Sequence, residues 1–326
     1  MRPGSAAELF AELQSGSHRR ALGRAITLLE STQLDDRRLA DELVDLALNH
    51  TLPHPTFRLG ISGTPGVGKS TFIEYFGLEI AGLGHRLAVL AIDPSSSLSG
   101  GSILGDKTRM EELTRHPNVF IRPSPTGGHL GGVGAASRAA VLLCEAAGYN
   151  YIIVETVGVG QAEWQVHGMT DAFLLLAQPG AGDDLQGIKR GILEAVDVLA
   201  INKADGDNAG PARLASASYK SALRLLRGRD VPVHVCSALE DEGVADVWET
   251  PQALWVRDEA DGSLTARRSR QTVAWMWRLV DERLRSQVRR ADRAELVKDV
   301  VRRVGDGTTS ASAGATEVLR SFQAPD

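Results

Sequence analysis

Apolar residues recur at helical spacing in two stretches near the start of the chain. In residues 17–30 they are Leu22, Ile26 and Leu29, and in residues 35–49 they are Leu39, Leu43 and Leu46. A return every three to four residues turns one face of a helix towards a core, so two amphipathic helices are predicted. Asp35 and Asp36 suit the positive end of the second, and the prolines Pro53 and Pro55 separate it from the next segment. From Phe57 the pattern changes to short apolar runs at 57–61, 86–92, 119–122, 151–155, 172–178, 198–202 and 233–236, most of them separated by helical stretches such as 71–81 and 185–194. That alternation predicts an α/β fold with a mainly parallel sheet covered by helices on both faces. The last third changes again. Val273, Trp277, Val280, Leu284 and Val288 line one face of a long arginine-rich helix within 267–290, followed by helical patterns at 294–304 and 315–322. Three parts result: an N-terminal helical extension (1–55), an α/β domain (56–262) and a C-terminal helical extension (263–326).

Composition narrows the class. The chain has 326 residues, enough for one α/β domain with appendages, and 36 basic against 41 acidic residues give a net charge of −5. A negative chain has no general attraction for nucleic acid or anionic lipid, so any phosphate chemistry is local and neither class of partner is expected. His18, Arg19 and Arg20 are read as a solvated helix face. The two cysteines, Cys144 and Cys236, lie in apolar surroundings without C-x-x-C spacing, which points away from a disulfide framework or zinc site and towards a reducing cytoplasm. No apolar run approaches the roughly 18 residues of a membrane span, so no membrane association is expected.

The candidate chemistry collects after the strands. Gly63-Thr64-Pro65-Gly66-Val67-Gly68-Lys69-Ser70 follows the first strand and opens a helix with Thr71. Its G-x-x-x-x-G-K-S pattern supplies glycines where backbone N–H groups must turn around phosphates, a lysine for the terminal phosphates and a hydroxyl for Mg²⁺. Asp93 follows the second apolar run, and a Ser/Gly-rich stretch runs from it to Asp106; both acids are candidate Mg²⁺ ligands, direct or through water, and both also suit turn or helix caps. Glu155, followed by Thr-Val-Gly158, stands where such proteins carry their second metal carboxylate, with Gln161 a candidate for orienting water. The Gly-rich 127–134 is read as a surface loop. Residues 180–190, with Asp183, Gln186 and Lys189, are read either as a segment that responds to the nucleotide or as an ordinary loop entering a helix.

Base identity comes from Asn202-Lys203-Ala204-Asp205. An aspartate so placed accepts both N1–H and the exocyclic amine of guanine, which adenine does not offer, and a site built around such a bond strongly rejects the analogue lacking it. Ser237, Ala238 and Leu239 supply a second guanine loop. A guanine-nucleotide site is expected, with GTP as substrate and GDP as product.

Several of these stretches together resemble the methylmalonyl-CoA mutase-associated GTPases (MeaB type, also labelled ArgK or LAO/AO transport ATPase), in the metallochaperone group of P-loop GTPases. The likeness covers nearly the whole chain. It rests on Arg19-Arg-Ala-Leu22, the Gly63–Thr71 loop, Asp93-Pro-Ser-Ser-Ser97, Leu104-Gly-Asp-Lys-Thr-Arg109, Glu155-Thr-Val-Gly-Val-Gly-Gln161, Gly187-Ile-Lys189 and Asn202-Lys-Ala-Asp205. The resemblance implies a homodimeric GTPase that binds an adenosylcobalamin-dependent acyl-CoA mutase, gates cofactor loading and protects or rescues that enzyme. It also implies switch loops beginning at Asp93, Glu155 and Gly180, C-terminal helices that help build the dimer, and cobalamin held by the mutase. The residues expected to act are Lys69, Glu155 and Gln161 in hydrolysis, and Ser70, Asp93, Asp106 and Glu155 around Mg²⁺. Hydrolysis is expected to be slow alone and faster with the partner. The alternatives are a small-molecule kinase of the arginine/ornithine transport kind, a metal-delivery GTPase, and an interaction module without useful turnover.

Overall fold

The computed structural model describes residues 5–15, 18–31, 33–93, 110–125, 132–156, 162–180, 190–288 and 294–321. Three helices come first: α1 (Ala6–Leu13), α2 (His18–Leu29) and α3 (Leu34–Leu48). The α/β part comes next as β1 (Phe57–Gly63), α4 (Lys69–Gly82), β2 (Leu87–Asp93), α5 (Glu111–Arg115), β3 (Val119–Pro125), α6 (Gly132–Ala146), β4 (Tyr151–Thr156), α7 (Ala162–His167), β5 (Ala172–Ala177), α8 (Arg190–Ala195), β6 (Val198–Ile201), α9 (Ala209–Arg227), β7 (Val233–Val235) and α10 (Val244–Ala260). Three more helices end the chain: α11 (Ser263–Val288), α12 (Ala294–Gly305) and α13 (Ala311–Arg320).

The seven strands form a single parallel sheet in the order β3-β2-β4-β1-β5-β6-β7. Alternate residues of β1 explain the layers. Phe57, Leu59 and Ile61 point into one core with Phe72, Ile73 and Phe76 of α4 and Val247 and Trp248 of α10. Strand residues of opposite parity, such as Ile152, Val154, Phe173 and Leu175, build the other core with Val141 and Cys144 of α6 and Tyr219 and Leu223 of α9. Leu9, Leu13, Leu22, Ile26 and Leu43 belong to this second core, so the three N-terminal helices pack into the α/β body. Burial on both faces is why the strands read as continuous apolar runs.

The chain divides into two compact units, Met1–Gln271 and Thr272–Asp326. In the first, a buried polar cluster ties β1, α6, β5 and the start of α11. The Arg58 guanidinium donates to both Glu145 oxygens at 2.7 Å, and Thr56 donates to the same carboxylate at 2.5 Å. Arg268 donates bidentately to Asp171 at 2.8 and 2.6 Å and to the Thr56 carbonyl at 2.7 Å, while Arg267 pairs with Asp258. In the second unit α12 packs on α13, with a Cβ on Gly314 falling 2.7 Å from Val304, and Arg303 pairs with both Asp299 and Glu317.

All seven strands stand where the apolar runs place them. The helix expected at 185–194 is described over Arg190–Ala195, and α11 begins at Ser263, ahead of the expected 267. One reading needs correction: the Gly-rich 127–134 is not all loop, because α6 begins at Gly132. Its glycines hid the start of a helix whose apolar residues come later. Helices α1, α9 and α10 were not singled out by the pattern of the chain.

Candidate nucleotide site

In a parallel sheet every strand ends at the same edge, and that edge collects the candidate residues. Gly63 ends β1 beside Leu176 of β5, and Glu155 in β4 is paired in register with Ile61 of β1 and Ala91 of β2. Asp93 closes β2 one position beyond the pair Ile92 and Thr156. The backbone of Asp93 thus reaches the edge that carries Glu155, which is buried at 6 % exposure.

The loop after β1 turns through Gly66 and Gly68, both with positive φ (81° and 93°), and α4 starts at Lys69. Gly68 must lack a side chain for a second reason. A Cβ there would lie 2.6 Å from Nδ2 of Asn202, so the Asn202–Asp205 turn presses directly on the loop after β1. Lys69 folds back with its ammonium donating to the carbonyls of Gly63 at 2.6 Å and Thr64 at 3.2 Å. The N-terminus of α4 with its free N–H groups adds the positive end of a helix dipole.

Asn202 is the hinge pin of the site. Its amide donates to the Val67 carbonyl at 2.9 Å, and its oxygen accepts from the Ala238 N–H at 2.9 Å and the Cys236 thiol at 3.8 Å. Burial pushes the Cys236 thiol up to about 12, so it remains a protonated donor. Three loops far apart in sequence are thereby fixed by one side chain. Lys203 holds φ at 60°, a strained value for a lysine that turns the chain sharply after β6. Asp205 accepts from the Ser237 hydroxyl at 2.7 Å through one carboxylate oxygen, which orients the acid. The hydroxyl also accepts from the Glu240 N–H at 3.2 Å. Leu239 is 70 % exposed beside this loop.

The structure therefore brings together Gly63–Thr71, Asn202, Lys203, Asp205 and Ser237–Leu239 at one edge with Glu155. Asp106, Gln161, Asp183, Gln186 and Lys189 lie outside the described residues, as does the side chain of Asp93. Sequence reasoning passed over Glu163 in the first turn of α7. It is 2 % exposed, and both carboxylate oxygens are buried without a hydrogen-bond partner. A signal was present: an acid in a short helix just past the run that begins at Glu155. Also missed was Arg138 of α6, which donates to the Gly168 carbonyl at 2.8 Å and holds the C-terminal end of α7.

Among the described residues no group of three His, Cys, Asp or Glu side chains is placed to hold a metal. A hydroxyl at Ser70 and one acid at Glu155, next to a phosphate loop, suit Mg²⁺, which takes one or two carboxylates and completes its shell with phosphate oxygens and water.

Comparison with known proteins identifies the family. The family described as "Methylmalonyl Co-A mutase-associated GTPase MeaB" matches residues 22–293. The chain belongs to the MeaB family. It is 46 % identical over 329 residues to "Methylmalonic aciduria type A homolog, mitochondrial" of Mus musculus, covering 97 % of this chain and 79 % of that protein. It is 48 % identical to a "Putative GTPase" of Caulobacter vibrioides (93 % and 94 % covered) and 45 % identical to "GTPase ArgK" of Escherichia coli (85 % and 84 %). A solved structure, "Crystal structure of LAO/AO transport system kinase", superposes with a TM-score of 0.76 at 34 % identity, covering 99 % of both chains. As a member of this family the protein is a P-loop GTPase that hydrolyses GTP. No helix among the described residues is long and apolar enough to cross a membrane.

Proposed function

We propose that this GTPase acts as a chaperone for an adenosylcobalamin-dependent acyl-CoA mutase of the methylmalonyl-CoA type, gating cofactor loading and protecting or reactivating the mutase. The observation that carries the nucleotide half is the three-loop junction at Asn202, which aligns the guanine acceptor Asp205 with the phosphate loop. The mutase half is supported by the family to which the chain belongs. Cobalamin stays with the mutase.

In this reading the backbone N–H groups of 63–71 and the Lys69 ammonium hold the phosphates. Lys69 exchanges its contacts with the Gly63 and Thr64 carbonyls for phosphate oxygens and neutralises charge as the terminal phosphate departs. Ser70 and Glu155, with Asp93 and Asp106, would hold Mg²⁺, which would offset the phosphate charge when bound. Gln161 orients the attacking water, and the segments beginning at Asp93, Glu155 and Gly180, including Asp183, Gln186 and Lys189, report the nucleotide to the mutase. Homodimer formation through the C-terminal extension is supported by an exposed apolar stripe on α11: Val273, Met276, Trp277, Val280 and Leu284.

GTP turnover measured with and without the mutases of the same cell tests the proposal. Stimulation of at least tenfold and retention of one mutase in a pull-down are the expected results; a rate indifferent to every mutase refutes it. The structural likeness to a protein described as a transport-system kinase supports a second reading, phosphoryl transfer to a basic amino acid. Radiolabelled phosphate appearing on arginine or ornithine would favour it.

A further inference from the structure

At the opposite, N-terminal edge of the sheet, Arg86 precedes β2 and Tyr149 precedes β4, and the first residues of α2 pack against both. The Arg86 guanidinium carbon sits 4.6 Å from the centre of the Tyr149 ring, and His18 meets the same ring edge-on at 5.8 Å. Tyr149 is 0 % exposed. Nη2 of Arg86 and Nε2 of His18 are buried without a hydrogen-bond partner, and the buried Tyr149 hydroxyl has only the Arg86 guanidinium beside it, a donor that leaves the phenol's own proton without an acceptor. Buried donors gathered around one ring with no acceptor among them are unusual, because buried polar groups are nearly always satisfied. Burial pushes the Tyr149 phenol up to about 12 even with Arg86 pulling the other way, so the hydroxyl keeps its proton as a donor.

Charge separates the possible occupants. Arg19 donates one bond, to the Thr114 carbonyl at 3.3 Å, and lies near enough to act on both His18 and Tyr149. Neither Arg19 nor Arg86 takes part in any ion pair among the described residues. Moreover, α2 begins His18-Arg19-Arg20 with no acid in its first turn, so cations crowd the positive end of a helix dipole. A buried water would satisfy the orphaned atoms but leave this charge uncompensated. An oxyanion does both: it accepts from the guanidinium, the phenol and the helix end, and reverses the sign of the repulsion.

We propose that His18, Arg19, Arg86 and Tyr149 form an oxyanion subsite, for a phosphate or carboxylate group, at the edge of the sheet remote from the nucleotide loops. Arg86 and Tyr149 supply the buried donors, and Arg19 closes the site from the solvent side. His18 is the reporter. Burial and the neighbouring Arg86 hold its imidazole below the ordinary value, and a bound anion would raise it.

The test uses the full chain saturated with GDP, so that the phosphate loop is filled. Inorganic phosphate, acetate or chloride is added at constant ionic strength while His18 is titrated by imidazole NMR and thermal unfolding is followed. The expected result is a rise of about one unit in the His18 titration with phosphate or acetate but not chloride, accompanied by a higher Tm. The better of the two oxyanions identifies phosphate or carboxylate as the preferred group. Arg86→Met abolishes the response, and Tyr149→Phe, which keeps the ring, weakens apparent affinity roughly tenfold. The inference is overturned if neither oxyanion moves His18 beyond chloride, if an adventitious response persists in Arg86→Met, or if a folded Tyr149→Phe protein responds as the wild type does.

Discussion

Replacing Asn202 by Ala removes both directed bonds that join the guanine tetrad to the other two loops. The Val67 carbonyl loses its donor at 2.9 Å and the Ala238 N–H loses its acceptor at 2.9 Å, around a side chain that is 2 % exposed. A net hydrogen bond is worth only about 1 kcal/mol, but a buried group left without a partner costs about 1–3 kcal/mol. Two such groups give roughly 2–6 kcal/mol, with the lower half favoured if water enters the space left by the amide. The Cys236 thiol contact at 3.8 Å is too long to add much. The urea midpoint of the nucleotide-free protein should therefore fall by an amount equivalent to about 2–4 kcal/mol. GDP affinity should fall more than tenfold, because Gly68 and Ala238 are no longer held at a fixed separation. Asn202→Asp separates the two arms. It keeps an acceptor for Ala238 but sets an oxygen against the Val67 carbonyl, so it should cost at least as much as Ala. Variants within about 0.5 kcal/mol of wild type, binding GDP within twofold, would refute the argument.

Asp205→Asn exchanges an acceptor for an amide that can donate, so preference should move from guanine towards xanthine nucleotides; competition binding that leaves guanine preferred by the original margin would refute it. Arg268→Ala leaves the fully buried Asp171 carboxylate without its cation and with the Arg58 N–H as its remaining donor at 2.9 Å, and should cost about 3–5 kcal/mol by chemical denaturation. Acid should also weaken the fold through Glu145. Burial alone would raise its carboxyl, but the Arg58 guanidinium outweighs that and holds it below the usual range. A group depressed in the folded state contributes in full above its unfolded value of about 4.3, and the contribution is lost as pH falls through the folded value. Glu145→Gln should flatten the pH dependence of the urea midpoint in that window.

Most of the sheet was legible because a strand buried on both faces is written as an unbroken apolar run, as at residues 151–154 and Ala172–Ala177. The turns proposed as phosphate loop and guanine tetrad could be placed from the sequence because positive φ at Gly66 and Gly68 and a directional acceptor at Asp205 leave few residue types able to serve. The start of α6 was hidden because its first residues are glycines whose place in a helix is decided by tertiary packing. No local pattern announces that Asn202 bonds to Val67, 135 positions earlier, or that Arg58 finds Glu145. Those pairings exist only after the sheet has brought β1, β4 and β6 to their places. Glu163 escaped for a different reason: a single acid in a six-residue helix carries no periodic signal, and its burial is a property of the fold.

The two sides of the nucleotide edge are held by different physics, and this bears on how the site works. On the proposed base side, Asn202 is bonded to the Val67 carbonyl and the Ala238 N–H and Asp205 to the Ser237 hydroxyl, so the acceptor proposed for guanine is organised by the fold itself. Adjacent to it, β1 and β4 end in alternating positions. Ile61 turns into the core beside α4, and the hydroxyls of Ser62 and Thr156 meet each other at 2.9 Å. Beyond Thr156 comes α7, anchored at its C-terminal end by Arg138 on the Gly168 carbonyl and by Gln271 on the carbonyls of His167 and Thr170, while its first turn buries the unpartnered Glu163. A helix satisfied at one end and unsatisfied at the other is most readily displaced at the unsatisfied end. The proposed base side is thus already organised by the fold, and the first turn of α7 is the described element with most to gain from a new arrangement.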